Sequence, residues 1–428
     1  MMAVEKVSLR QRLRDHRSGL RAVSTWISWR SGVALGAAKS KHPIAEPCSL
    51  VIIPSDTFTV YGARGDEAMI EGLIDAHRQQ HPSIKTVYVV TETAEAHEAI
   101  KSKGCVPLNA WGRSARHCAE AIMQTRPVAV VGIGADVMDG YYNPHRVSKM
   151  LAVCAMLSRQ GVKSMIAGFS FNANPSQYLS GHMFRQAADD GVVLNVRDKL
   201  SFDRLKRYSK ARAQLVADAA FLLRPSGDGS HTQGYESWIE ARRAEGLTVL
   251  GVNFHPLLLK DPAVLDRFAV MLAATLNGEL ARRPLSLVMV PHDFRGDLGD
   301  VDILKKLASR LDAAHAGRVL CIDYPLSASE IKRVASKLDG VITGRMHLAI
   351  ASLGVGTPVA AITYQDKFEG LFAHFAITGL TASPQDLMQA GRLDTFVASF
   401  LDGLDATRQQ VAQALPEVKR LSRLNLAS

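Results

Sequence analysis

From Cys48 onward, short apolar runs recur between longer amphipathic stretches, and this alternation constrains the chain more than any other feature. Leu50–Ile53, Thr86–Val90, Val128–Ile133, Ser164–Gly168 and Val192–Val196 are each four to six residues long and nearly all apolar. Such runs are too short for helices and lack the polar alternation of a half-exposed strand, so they are expected as strands buried on both faces. Parallel strands need long crossovers, and the intervening stretches have helical length. A second series, Thr248–Val252, Leu285–Val290, Val319–Ile322, Gly340–Thr343 and Pro358–Ile362, is spaced by helical segments such as Asp261–Asn277 and Asp300–His315. Between the two series lies Arg224–Gly234 (RPSGDGSHTQG), whose Pro, Gly and Ser content marks a linker. The expected architecture is α/β in two halves. Residues 1–47 form a basic extension, 48–225 a first domain, 226–245 a linker, 246–382 a second domain and 383–428 closing helices. Two such halves are expected to face a cleft that binds ligand.

Composition narrows the class. At 428 residues and 47% hydrophobic, the chain exceeds what one core encloses. It has no apolar run of about 18 residues, the length a membrane-spanning helix requires. Five scattered cysteines, odd in number and without a C-x-x-C pair, indicate neither a disulfide framework nor a structural zinc site. A cytoplasmic protein is expected. The net charge is +10, and residues 1–50 hold nine basic side chains against three acidic ones, so +6 of the excess lies there. Leu9, Leu13, Leu20 and Val23 recur at near-helical spacing between arginines, followed by Trp26, Ile27 and Trp29. A basic amphipathic helix of this kind either rests on an anionic membrane surface or packs its apolar side on the body. No nucleic-acid recognition motif accompanies the charge, and a nucleic-acid partner is not expected.

Familiar nucleotide motifs are incomplete. Gly132-Ile133-Gly134-Ala135-Asp136-Val137 follows a strand but has Val137 where a dinucleotide fingerprint has its third glycine, and no G-x-x-x-x-G-K-[ST] run exists. His77 and His81 are four apart but lack the glutamate of a metalloprotease helix. Two other segments carry more. Gly62, Gly65, Asp66 and Glu67 lie between the first strand and the first helix, where glycines admit a ligand and acidic residues also cap. In GVITGRMHLAIASLGVGTPVAAITYQDKFEG (340–370) a strand ends at Thr343, Gly344 turns, and a helix begins near His347. Arg345 and His347 then sit at the positive end of a helix dipole, which suits an anion.

G-R-M-H-L-A-I-A-S-L-G-V-G-T-P-V followed by Y-Q-D-K resembles the C-terminal signature of the polysaccharide pyruvyl transferase family. Gly65-Asp66-Glu67, Gly132–Asp136, Val196–Ser201, Asp218, Gly251-Val252-Asn253 and Pro291-His292-Asp293 resemble its other blocks in the family's order, over roughly Cys48 to Leu380. Ile133 and Ala135 depart from the glycine run that is usual there. The resemblance implies two Rossmann-like domains similar to GT-B glycosyltransferases. It also implies transfer of the enolpyruvyl group of phosphoenolpyruvate onto two sugar hydroxyls, giving a cyclic pyruvate ketal and phosphate. No cofactor or metal is expected beyond that donor. Arg197, Arg345, Met346 and Lys367 would bind phosphoenolpyruvate, with His347 as acid and Asp66 at an acceptor hydroxyl. Gly65, Gly134, Asp136, Asp218, Asn253 and His292 would line the cleft. The acceptor would be a saccharide, lipid-linked at the inner membrane face in one version. A nucleotide-sugar-dependent glycosyltransferase and a non-catalytic carbohydrate-assembly partner are the alternatives, and dependence on a nucleotide sugar would favour the first of these.

Overall fold

The computed structural model describes residues 9–34, 47–225, 229–296, 299–363 and 367–426. They fall into two compact units: the first takes the residues up to Tyr61, Leu73–Asp218 and those from Arg423, and the second takes Gly62–Gly72 and Ala219–Ser422. The stretch 226–245 contains a helix, Gln233–Ala244.

In the first unit the strands are β1 (Ser49–Ile53), β2 (Thr86–Val90), β3 (Val106–Leu108), β4 (Pro127–Ile133), β5 (Lys163–Phe169), β6 (Val193–Val196) and β7 (Gln214–Leu215). They pair in parallel in the order β3-β2-β1-β4-β5-β6-β7. The second unit holds β8 (Thr248–Val252), β9 (Leu285–Met289), β10 (Val319–Cys321), β11 (Gly340–Thr343), β12 (Val359–Ile362) and β13 (Thr381–Ala382), parallel in the order β10-β9-β8-β11-β12-β13. Both sheets are doubly wound, with the chain reversing direction beside β1 and beside β8. The expected α/β class holds, and the inner strands β1, β9, β11 and β12 are buried along their whole length. Each sheet is covered by helices whose apolar sides form its core.

Three strands escaped sequence reading: β3, β7 and β13 are two or three residues long and only partly buried. The expected helix Asp300–His315 ends at Ala308, and Ala313–Arg318 is a 3₁₀ segment. Asn277 explains the break, since its Oδ1 accepts from the Asp312 amide at 2.9 Å and draws the chain out of helical continuation.

The helix Leu9–Ala34 packs on the helix Pro144–Arg159 of the first unit. Ala22 and Trp29 are buried there, the Trp29 indole donates to Asp190 at 3.2 Å, and Ser18 donates to Asn143 at 2.7 Å. One side of the basic helix is thus occupied by the protein body, while Leu20 and Ile27 stay more than half exposed. Residues 1–8 and 35–46 of the extension, and the side chains of Leu9 and Leu13, lie outside the described residues.

After the long helix Leu404–Arg423, the chain re-enters the first unit through Asn425. Asn425 is fully buried: its Oδ1 accepts from Gly168 N at 2.8 Å and its Nδ2 donates to Ala217 O at 2.9 Å. Asn425→Ala strands both backbone groups away from water. It is expected to destabilise the first unit by about 1–3 kcal/mol, read as a lower urea midpoint at unchanged slope.

Candidate functional site

Three neighbouring strands of the second unit, β9, β8 and β11, end side by side, and the residues that follow them converge. Asn253 follows β8, His292 and Asp293 follow β9, and Thr343, Gly344 and Arg345 close β11 before the helix Met346–Leu353. This is the switch point of the sheet, where strands on either side run to opposite flanks and leave their carboxyl ends open to ligand.

Asp300 holds the group together. Its side chain is fully buried, and Oδ1 accepts from Arg345 Nε at 3.0 Å and Nη2 at 2.6 Å. Oδ2 accepts from Asn253 Nδ2 at 2.9 Å and from the amides of His292 at 2.9 Å and Asp293 at 3.2 Å. Burial raises the Asp300 pKa, and the Arg345 charge beside it pulls the other way without cancelling that rise. Asn253 Oδ1 accepts from Thr343 Oγ1 at 3.0 Å, and the same hydroxyl accepts from the Arg345 amide at 2.9 Å. Arg345 Nη1 also lies 3.5 Å from Asp293 Oδ2. Burial would raise Asp293, but the Arg295 side chain (2.7 Å) and backbone amide, with the Arg345 charge, hold its pKa below the ordinary carboxylate value.

His347 is the second residue of its helix and is partly exposed. Its imidazole lies against the backbone of Gly65: a Cβ there would fall 2.6 Å from His347 Cγ, so only glycine permits this approach. Gly65 is the second residue of the helix Arg64–Gln80, whose Arg64 donates to Glu67 Oε2 at 2.8 Å and to Pro325 O at 3.2 Å and covers the Phe294 ring at 5.3 Å. Gly344 is the other close approach, because a Cβ there would fall 2.8 Å from His255 Cδ2. His255 Nε2 is 3.2 Å from Gly344 O, and since a carbonyl only accepts, Nε2 carries the proton. Burial, with the Arg345 charge, lowers His255 to about 3. Burial, then the neighbouring His347, Arg345 and Arg64, hold His292 well below its ordinary value. Both buried rings are neutral at neutral pH.

The helix Met346–Leu353 begins at Arg345 with no side-chain cap. Its first amides and the oriented guanidinium form a positive locus beside one imidazole, an arrangement suited to holding an anion and moving a proton. Among the described residues no group of three or more His, Cys, Asp or Glu side chains is placed to hold a metal ion.

Of the residues singled out in the sequence, Gly65, Asn253, His292, Arg345, Met346 and His347 come together here. Asp66 follows Gly65 in the same turn, and Lys367 opens the helix Lys367–Ala373 of the same unit. Gly134, Asp136, Arg197 and Asp218 belong to the first unit. There Gly134 is buried where β4 passes Phe169, and Asp136 is partly exposed. Arg197 is buried, its Nε donating to Ser170 Oγ at 2.7 Å and its Nη1 to Asp218 Oδ2 at 2.8 Å. Sequence reasoning missed Asp300 and Arg64. An Asp directly before a helix reads as its cap, yet Asp300 makes no cap bond to Val301–Ala308 and spends its carboxylate on Arg345.

The depressed histidines set a pH dependence. Each binds a proton in the unfolded chain below about pH 6.5 but not in the folded one, so stability is full above that pH and falls as pH drops toward the folded values. His255→Gln is expected to remove one proton from the acid dependence, flattening it by up to about 1.4 kcal/mol per pH unit between pH 6 and 4 in urea unfolding.

Residues 64–366 match the family model described as polysaccharide pyruvyl transferase. The amylovoran biosynthesis protein AmsJ of Erwinia amylovora is 22% identical over 305 residues, covering 68% of this chain and 70% of AmsJ. Among solved structures, UDP-GlcNAc 2-epimerase from Neisseria meningitidis bound to UDP-GlcNAc aligns with a TM-score of 0.54 at 12% identity, over 88% of this chain and 98% of that one. A glycosyltransferase from Rickettsia africae aligns with a TM-score of 0.51 at 11% identity, over 90% and 100%. At these identities the likeness is one of fold, a GT-B-like pair of parallel α/β sheets.

Proposed function

The chain belongs to the polysaccharide pyruvyl transferase family, and we propose that it moves the enolpyruvyl group of phosphoenolpyruvate onto two hydroxyls of a sugar in a polysaccharide or glycolipid precursor, releasing phosphate. The observation that carries this reading is Arg345, fixed by Asp300 at an uncapped helix start two residues before His347. A donor with a phosphate and a carboxylate needs such a guanidinium and free amides. Arg345, the Met346 amide and Lys367 bind the donor in this scheme. His347 protonates the methylene carbon, which makes the adjacent carbon electrophilic. The first hydroxyl adds there and passes its proton to Asp66. Phosphate then leaves, carrying away the proton that Asp66 had taken, and the second hydroxyl closes the ketal and returns a proton to His347. One phosphoenolpyruvate and one diol become one ketal and one phosphate, with no further cofactor. Stabilisation of the departing phosphate by fixed dipoles is the protein's main electrostatic contribution.

The test is phosphate release from phosphoenolpyruvate by the purified protein with free and lipid-linked glycans, followed by mass spectrometry of each glycan. Arg345→Ala is expected to lose donor binding. His347→Ala is expected to keep it while turnover falls by about 100-fold or more. Normal turnover in His347→Ala would remove the proposed acid, and glycosyl products from nucleotide sugars would replace this reading with glycosyl transfer.

We place the reaction at the cytoplasmic face of a membrane, with a lipid-linked acceptor. Support comes from the outward side of the helix Leu9–Ala34, where Leu20 (56% exposed) and Ile27 (55%) stand among the exposed Arg17, Arg21 and Arg30. Among the described residues no helix is long and apolar enough to cross a membrane, so contact would be along the surface. The Leu20→Glu, Ile27→Glu double variant is expected to stay in the supernatant with phosphatidylglycerol vesicles at low salt while the parent protein sediments. Equal sedimentation would overturn the assignment.

A further inference from the structure

Outside the Arg345 site, the first unit exposes three large aromatic rings at the carboxyl edge of its sheet: Tyr141 (74% exposed), Tyr142 (59%) and Phe58 (51%). Phe58 lies in the loop after β1 and the tyrosines in the loop after β4, adjacent strands at the sheet's own switch point. Rings left this bare forgo the burial that most large apolar side chains of the fold have, and solvent-facing aromatic clusters mark binding surfaces.

The loops that present them are built to be stiff. Asp56 accepts from the Phe58 amide at 3.0 Å and from Thr59 Oγ1 at 2.8 Å, and Thr93 Oγ1 donates to Phe58 O at 2.6 Å. Asp139 is buried; its Oδ1 accepts from the Tyr141 amide at 2.8 Å, its Oδ2 from Asn172 Nδ2, and its carbonyl from the Ser176 amide at 2.8 Å. Arg146, in the helix Pro144–Arg159 that follows the tyrosine loop, holds the loop after β1, donating to Ser55 O while its Nη2 lies 3.4 Å from Asp56 Oδ1. The two tyrosine rings stand edge to face, 5.3 Å between centroids. Polar side chains stand on the loop after β1 and on the loop after β5, the strand beside β4: Asp56 and Asn172 are partly exposed and Asn174 is exposed.

We propose that this surface is the saccharide-binding platform of the protein, taking a pyranose ring of the acceptor on the tyrosine faces. A sugar ring offers flat patches of C–H bonds ringed by hydroxyls. Aromatic faces flanked by carboxylate and amide side chains match both, and loops whose backbone is already held lose little entropy on binding. A protein partner would want a larger continuous apolar area, and an anionic ligand would want cations in place of Asp56. The assignment rests on the reading that the acceptor is a saccharide.

The experiment titrates cello-, galacto- and chito-oligosaccharides into the full-length protein by saturation-transfer NMR, with phosphoenolpyruvate binding measured separately by calorimetry. At least one oligosaccharide is expected to receive saturation. Tyr141→Ala with Tyr142→Ala should weaken that binding about tenfold, and Phe58→Ala should weaken it less, with phosphoenolpyruvate affinity unchanged. Equal oligosaccharide affinity in the parent and the double variant would overturn the platform, as would no saturation of any of the three in the parent at millimolar concentration. Tyrosine-dependent oligosaccharide binding without phosphoenolpyruvate binding would leave the platform standing and remove the donor assignment.

Discussion

The pairing of Asp300 with Arg345 is the interaction on which the second unit's site depends. An ionised carboxylate removed from water costs several kcal/mol unless charge and hydrogen bonds replace its hydration. Here five donors from three different loops do so: Asn253 after β8, the His292 and Asp293 amides after β9, and Arg345 after β11. The same bonds that stabilise the carboxylate therefore fix three loops and aim one guanidinium. Loss of the carboxylate would leave the donors unsatisfied and take from the arginine its two shortest bonds, so geometry and charge are carried largely by a single group.

Helix caps show what was given up for this. In the second unit side chains close three helix starts, Asp261 before Pro262–Arg282, Ser327 with Glu330 before Ala328–Ala335, and Ser383 before Pro384–Leu387, whereas Gln233–Ala244 and Arg392–Asp402 begin without one. The helix Met346–Leu353 has no side-chain cap, nor does Val301–Ala308, whose natural cap residue is Asp300 itself. Capping is worth roughly 1 kcal/mol. An uncapped start beside an oriented arginine retains amide hydrogens directed outward, which is the geometry anion recognition uses. The neutral state of His255 and His292 adds to this, since two further cations would repel the guanidinium they sit beside.

The first unit solves a parallel problem differently. Its buried Arg197 is held by Asp218 and Ser170 within the scaffold. Its outward chemistry stands on loops braced by Asp56, Asp139 and Arg146, which point aromatic rings into water. At the carboxyl ends of its strands each unit thus gathers a different chemistry, charge in the second and exposed aromatic rings in the first.

Much of this was legible from residues alone. Strands buried on both faces must be apolar throughout, so the ten runs read from the sequence found their places, whereas β3, β7 and β13 are edge or near-edge pairs too short to carry a pattern. Arg345 and His347 were visible because a strand, a turning glycine and a helix start are local features. Asp300 was not, because it lies 45 residues from its arginine and stands in the sequence only as the first residue of a helical segment. Gly65 was visible as a glycine that admits close approach, but not as the residue against which the His347 ring rests. The amino-acid sequence determined the alternation of strands and helices, the family, and the candidate anion locus, since burial and helix polarity act on neighbours along the chain. Only the tertiary structure decided which distant carboxylate holds the arginine, which histidines stay neutral, and which aromatics remain in water, because desolvation and hydrogen-bond partnership depend on what folding brings near.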